Sequence, residues 1–540
     1  MNQENTLFYN GKISTMDEKN TVADSIYVEK GIIKYVGKLS DVENGAKTGS
    51  NKIDLGGKRV LPGLIDTHTH FTRAALSEIR TQQFVPDTIK DVLDYVKEKT
   101  KTTEKGKWIY MPNIYPTRIK DLRFPFAWEL DEAAPEHPVY ADGFYAGAAN
   151  TLALKDAGLY NKSDKGVIRD EFGNPTGRVL GMRRIFEKSI PGIIYTPEEL
   201  DLAIARLGEE YAKAGITSVT EGMSTGDGLA GLAGALKNDK AYVRVILTMV
   251  MNPENKNLLK DFKRESECYD QSFIKHLYGK VVIDGGILTG TALMRKPYSN
   301  VLQIFGYDFD DYYGNIGTDF DTMYRSLDIC EELGLKFCVH ATGNKSVDLF
   351  LDVLEEYRNN TGKLSSGHAV LHGNFMDTAT IKRIKELNAA LLFQPAWHYK
   401  DSHAVENFMD TETFNTFLPY KSLYESGIMC AAGSDHMIKH DKNKSQNPYN
   451  PFSAIYNMVT RVNEKGMCIG KEHCVSIENA VRFYTSKAAF QGGGHEDRGC
   501  LSIGKSADFF CLTDDIFNCP VERIPYIQSE MTVLNGKIVY

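Results

Sequence analysis

Two histidines one residue apart close the run Leu61-Pro62-Gly63-Leu64-Ile65-Asp66-Thr67-His68-Thr69-His70. Side chains alternate across a strand, so positions i and i+2 share a face, and two imidazoles at a strand's carboxyl end can reach one cation. Thr69 then faces the other way. A His-x-His pair is equally what two ordinary histidines near a turn would look like. Its setting argues for the metal. Pro62-Gly63 and an apolar Leu-Ile pair precede it, about 60 residues in, where the first strand of a barrel would begin behind a small leading domain.

Four more candidates stand at or near strand-like runs, and strand carboxyl ends are where a (β/α)8 barrel gathers its active-site residues. His340 ends Leu335-Lys336-Phe337-Cys338-Val339 and opens a turn into a helix. His372 follows Ala369-Val370-Leu371 and precedes Gly373-Asn374. Asp435 closes the small-residue run Ala431-Ala432-Gly433-Ser434, and Lys280 heads Val281-Val282-Ile283, which suits a buried strand. Taken singly, each has a plainer alternative: a satisfied core histidine, a helix N-cap for Asp435, a surface lysine for Lys280. His368 competes with His372 as a ligand, and strand geometry favours His372.

The elements that must position these residues are legible as patterns. From Pro197 onward, helix and strand signals alternate: an amphipathic segment from Glu198 to Ala214, then Ile216-Thr217-Ser218-Val219-Thr220, and later Leu335 to Val339 and Ala390 to Phe393. Strands in turn with helices imply parallel βα units. From Thr6 to Val60, short apolar runs broken by turn residues read as β-hairpins, and Gly504 to Leu512 and Val533 to Tyr540 repeat that pattern at the other end. Few strands at each end predict one shared sandwich. Between His70 and Thr196, Trp108 and Pro112, Pro116, Pro125, Pro135 and Pro138 interrupt helical segments, which predicts an insertion over the barrel mouth.

A chain of 540 residues has room for a large catalytic domain plus additions. The net charge of -8 is spread without a basic stripe or acidic tail, so nucleic-acid binding has no support. Met1 to Thr6 lacks the basic and apolar regions of a signal peptide, and no uncharged apolar run nears about 18 residues. No membrane partner is expected, and the cytoplasm is the expected compartment. The nine cysteines, scattered from Cys268 to Cys519 with no Cys-x-x-Cys pair, argue against disulfides or a thiolate zinc site.

The Pro-Gly-x-Ile-Asp-x-His-x-His run resembles the opening of the catalytic barrel in the metal-dependent amidohydrolase superfamily. The resemblance spans nearly the whole chain, because His68, His70, Lys280, His340, His372 and Asp435 match the family's ligands in type and chain order. Gly173-Asn174-Pro175-Thr176-Gly177, Asn450-Pro451-Phe452, Val459-Thr460-Arg461 and Gly504-Lys505-Ser506-Ala507-Asp508 are similar to the amidohydrolase-3-like branch, which includes N-substituted formamide deformylases. What this implies is an α/β fold, a distorted (β/α)8 TIM-like barrel over 62–486 with an insertion at about 75–200. A β-sandwich assembled from 1–61 and 487–540 would complete it.

The same resemblance implies hydrolysis of a carbon–nitrogen bond, with a linear N-formyl or N-acyl amide as the expected small-molecule partner. Two divalent metals, zinc expected, would hold the attacking water. Histidine, aspartate and carbamate ligands also suit iron, manganese or cobalt. Lys280 would react with carbon dioxide to give a carbamate that bridges the two metals. His68, His70, Lys280 and Asp435 would hold one metal, His340, His372 and the carbamate the other, and Asp435 would act as the general base. Departures from the branch pattern mark Tyr145, Trp397, His398 and His436 as candidate pocket residues, each with a packing role as the alternative. A hydantoinase-like cyclic amidase shares fold and ligands and stays open. A mononuclear deaminase would want an acid three residues after His340 or His372, which is missing, and a non-catalytic scaffold would have lost ligands that this chain keeps. Oligomeric state has no signature.

Overall fold

Five of the six candidate ligands sit on, or directly after, strands of a single eight-stranded sheet, and the sixth follows its last strand by a short loop. The computed structural model describes residues 5–79, 84–190, 192–309, 311–492 and 497–540; Met1 to Glu4 of the amino-terminal segment, and residues 80–83 and 191 of the expected insertion, lie outside these. The strands are β1 (Leu64–Thr69), β2 (Ile216–Glu221), β3 (Arg244–Val250), β4 (Ile274–Val282), β5 (Lys336–Ala341), β6 (Ala369–His372), β7 (Ala390–Phe393) and β8 (Met429–Ala432). They lie side by side in chain order and every neighbouring pair is parallel. Between β8 and β1 the sheet is bridged by Thr67 Oγ1 donating to Ala432 O at 2.9 Å and Asp435 N donating to His68 O at 2.7 Å. The result is a nearly closed (β/α)8 barrel.

Strands covered on both faces need apolar residues at every position, which is why the short runs Ala369–His372 and Ala390–Phe393 are buried throughout. Their alternation still sorts the faces: Ala369, Leu371, Ala390, Leu392 and Ala431 join one cluster, and Val370, Leu391, Phe393, Cys430 and Ala432 another. Helices cover the outside. Pro197–Lys213 starts at a capping box on Thr196, where Thr196 N donates to Glu199 Oε2 at 2.9 Å and Glu199 N to Thr196 Oγ1 at 3.3 Å. Leu200, Ala203, Ile204, Leu207 and Tyr211 bury its inner face.

The strand around Lys280 differs from the sequence reading. It begins at Ile274, so Lys280 stands inside it, near its carboxyl end, rather than ahead of it. His276 and Gly279 had masked the pattern. Gly279 is a packing necessity, since a Cβ there would come within 2.6 Å of Cys330 Sγ and 2.7 Å of Met251 Sδ. The N-cap alternative for Asp435 is also settled: the next helix, Pro451–Thr460, is capped by Asn450.

Strands from the two chain ends build two further sheets. Arg59–Pro62 pairs with Phe509–Leu512 in a six-stranded sheet, and Thr6–Tyr9, Ser25–Glu29, Ile32–Gly37 and Asn51–Asp54 make a four-stranded one. Phe8, Ile26, Val28, Val60, Phe509 and Val533 form the core they share. The hairpin between Ser529–Leu534 and Lys537–Ile538 turns on Asn535 (φ 52°) and Gly536 (φ 75°), the positive-φ pair that a two-residue turn requires.

The insertion after the first strand is more ordered than its prolines suggested. Ile109–Pro112, Val139–Asp142, Ala146–Ala149, Val167–Arg169 and Pro175–Leu180 form a five-stranded mixed sheet. Arg118 ties it to the barrel helix Pro395–Val405 through two bonds to Asp401, at 2.9 and 2.7 Å. All nine cysteines are free thiols, and among the described residues no helix is long and apolar enough to cross a membrane.

Candidate metal centre

β1 delivers Asp66 and His68 inward, and His70 stands just past its end. Closing the sheet brings Asp435 to them: its Oδ1 lies 3.4 Å from both His68 Nε2 and His70 Nε2. The potential ligand atoms of His68, His70 and Asp435 all fall within 4.8 Å of one another. His372 joins from β6, its ring centroid 5.3 Å from that of His68, and His340 from β5, 4.4 Å from His372. Lys280 reaches inward from β4 and donates to Gly222 O at 3.1 Å. Geometry therefore assembles all six candidates, from the ends of β1, β4, β5 and β6 and the loop after β8, at one mouth of the barrel.

Hydrogen bonds fix which nitrogen of His372 is free. Gln394 Nε2 donates to Leu392 O at 2.8 Å, so its Oε1 faces His372 Nδ1 at 2.8 Å and accepts the proton there. His372 thus presents Nε2 as a lone pair. At His340, Nε2 lies 3.3 Å from the Gly285 carbonyl and 3.2 Å from Thr342 Oγ1, and Nδ1 lies 3.2 Å from Tyr145 Oη. His68 goes further: it is 1% exposed, and neither ring nitrogen has a hydrogen-bond partner. A buried polar group in that state is costly, unless it is a ligand. Space is kept for the ring by Gly222, where a Cβ would lie 2.4 Å from His68 Cε1. The donor set fits a divalent cation.

Burial favours the neutral form of His68, His340 and His372, the form that ligates. It pushes His372 down to about 4 and keeps His68 and His340 well below the usual histidine range, with the nearby Lys280 and other histidines adding to it. Burial likewise lowers Lys280, favouring the free amine. For Asp435, burial alone would raise the carboxyl, but the hydrogen bond with His70 and the nearby His372 and Lys280 hold it below the ordinary value. Both His372 (φ 82°) and Asp435 (φ 55°) adopt left-handed backbone, which costs of order 1–3 kcal/mol for such residues. The strain is held in place by Gly373 N donating to Ala341 O at 2.9 Å and by Asn447 Nδ2 donating to Asp435 O at 2.6 Å.

A second layer of acids was not singled out from the sequence. Asp66 accepts from Ser434 Oγ at 2.6 Å, Ser434 N at 2.9 Å and His68 N at 3.2 Å, so it braces both sides of the cluster. Asp284 accepts from Thr342 N, Gly343 N and Leu293 N, and Glu221 from Thr72 N and Oγ1. Burial pushes Asp66 and Asp284 up to about 7. Asp66 carried a signal, because it shares the strand face of His68 and His70; Glu221 and Gln394 carried none.

A cavity of about 60 Å³ opens on the cluster, lined also by Tyr115, Phe144, Tyr145, Met223, Leu288 and Trp397. Of the four candidate pocket residues, Tyr145 and Trp397 line this cavity. The structure corrects the other two. His398 does not line this cavity: Asn457 and the Ile469 carbonyl occupy its ring nitrogens at 2.9 and 3.2 Å. Successive helix residues point about 100° apart, so Trp397 and His398 cannot both face the site. His436 is held by Tyr211 Oη at 2.9 Å and Lys439 O at 2.6 Å, behind the cluster. His368 precedes β6 at the opposite end of the barrel, bonded to Glu331 at 2.7 Å. Tyr115, Phe144 and Met223 were missed, lying on loops without motif.

A family model described as "Amidohydrolase family" matches residues 52–540. The N-substituted formamide deformylase of Arthrobacter pascens is 24% identical over 99% of this chain and 98% of its own. The putative amidohydrolase YtcJ of Bacillus subtilis is also 24% identical, over 99% of each chain. In fold, the chain is similar to an uncharacterised metal-dependent hydrolase of Pyrococcus horikoshii, with a TM-score of 0.71 at 22% identity, over 96% of this chain and 99% of that one.

Proposed function

Because the chain belongs to the amidohydrolase family, hydrolases of carbon–nitrogen bonds, we propose that it cleaves a linear N-formyl or N-acyl amide with the help of two divalent metals, zinc by expectation. The observation that carries this reading is His68: a buried imidazole with both nitrogens unbonded, facing three further histidines, an aspartate and a lysine. The full-length match to a formamide deformylase supports the substrate class.

His68, His70 and Asp435 would hold one metal and His340 and His372 the other, with Lys280 between them. The bound metals would lower the pKa of water toward about 7 and polarise the amide carbonyl. Burial favours the free amine of Lys280, whose nitrogen lone pair would bond the carbon of carbon dioxide; loss of one proton leaves a carbamate with two ligand oxygens. Asp435, held ionised, accepts the proton of the attacking water and returns it to the leaving nitrogen as the carbon–nitrogen bond breaks. The aromatic walls, Tyr115, Phe144, Tyr145 and Trp397, exclude bulk water.

A panel of linear N-formyl, N-acetyl and cyclic amides, assayed before and after metal removal, tests this. Metal-dependent release of carboxylate and amine from linear members is the expected result. Ring-opening alone would replace the reading with a cyclic amidase, and release of ammonia from cyclic amidines with a deaminase.

A further inference from the structure

The small cavity at the cluster meets a second of about 570 Å³, and His70 and Met223 line both. The inner lobe, about 60 Å³, has room for few heavy atoms beyond the metal cluster, while the outer takes a large group. An amide reacting where the lobes meet would place its small acyl portion inside and its amine portion in the outer lobe.

Arg73 lines the outer lobe. It lies on the helix α1 (Phe71–Leu76), for which His70 is the N-cap, and three residues apart on a helix means neighbours on one face. Its guanidinium is half-buried yet poorly partnered. It donates to Asn113 Oδ1 at 3.5 Å, the limit of bonding distance, and lies 6.0 Å from the Phe144 ring centroid. Among the described residues no carboxylate is within ion-pair distance of it. Two arginines of the insertion behave differently: Arg118 holds Asp401 at 2.7 Å and Arg183 holds Asp142 at 3.2 Å. Among the described residues, the one carboxylate lining the lobe, Asp227, is exposed in the first turn of the helix Gly226–Lys237 and makes no pair with Arg73.

A guanidinium fork matches a carboxylate with two parallel bonds, and here the arginine lines a cavity with one long bond to Asn113 and no carboxylate partner among the described residues. The geometry points to Arg73 as the residue that selects the substrate: resting on the amide-hydrolase reading above, the leaving amine bears a carboxylate that Arg73 binds beside His70. The substrate class is then an anionic amide with a small acyl group, and uncharged amides of the same shape are poor substrates.

The test compares racemic N-formylphenylalanine with N-formylphenethylamine, which differ only in the carboxylate, on the metal-loaded enzyme. Wild type should favour the carboxylate in kcat/KM, and Arg73→Gln should lower the ratio between the two substrates by about tenfold or more. Arg73→Lys, which keeps the charge and loses the fork, should give an intermediate ratio. A wild-type enzyme with no preference, or a ratio unmoved in both variants, overturns the proposal while the amide-hydrolase reading stands. If wild type cleaves neither amide nor any other linear member of the panel, that reading falls and takes this one with it.

Discussion

Asp435 meets His68 twice across the closing seam of the barrel: its backbone N–H donates to the His68 carbonyl at 2.7 Å, and its carboxylate Oδ1 lies 3.4 Å from His68 Nε2. The last strand is thereby joined to the first at the point where the candidate ligands converge. Barrel closure and cluster assembly thus share one residue, which makes both contacts from a left-handed backbone (φ 55°).

Asp435→Asn keeps the backbone bond and removes the proton acceptor. We expect kcat to fall by about 100- to 10,000-fold, with near-UV circular dichroism unchanged and metal content measured alongside. A well-folded Asp435→Asn enzyme of near wild-type activity would sink the general-base role.

Lys280→Ala should lose both metal and activity, since its carbamate would be the bridge between the two halves of the cluster. Metal per chain, counted by plasma mass spectrometry, should drop, and a short carboxylic acid such as propionate should restore part of the activity. Full occupancy without the lysine would show that no carbamate is needed.

Gln394→Leu tests the indirect control of His372. Gln394 is not among the residues that line the cavity at the cluster, yet it sets which nitrogen of His372 is free. Removing the acceptor should weaken metal binding about 10- to 100-fold in a chelator competition. Unchanged affinity would mean that packing alone orients the ring.

A pH test is available at His276, away from the site, where burial pushes the imidazole down to about 4. Between pH 6.5 and 4 the unfolded chain then binds more protons than the folded one, so this group destabilises the fold as pH falls through that window. By pH 4.5 the cost is about 2 kcal/mol. His276→Leu lacks it, so urea unfolding of the variant should weaken less than wild type between pH 7 and 4.5. The other titrating groups, including Asp66 and Asp284 with their opposite sign, are common to both and cancel. Parallel pH profiles would show that His276 is not held neutral.

What the sequence determined by itself is the local grammar of this protein. Period-two alternation placed His68 and His70 on one face, apolar runs ending in His340 and His372 marked strand termini, and hairpins at both ends announced a shared sandwich. Those signals are short-range, so each can be read where it stands. The strand around Lys280 was cut short because Gly279 breaks an apolar run, and only its neighbours Cys330 and Met251 explain that glycine. Tertiary structure alone decided the rest. Alternation gives a face but neither a depth along the barrel nor a bonding partner, so it could not tell that His436 and His398 are held by Tyr211 and Asn457, that Gln394 chooses the lone pair of His372, or that Arg73 lines a cavity without a carboxylate partner among the described residues. Each of these depends on side chains from distant segments arriving at one point, which only the closed barrel and the insertion packed over it bring about.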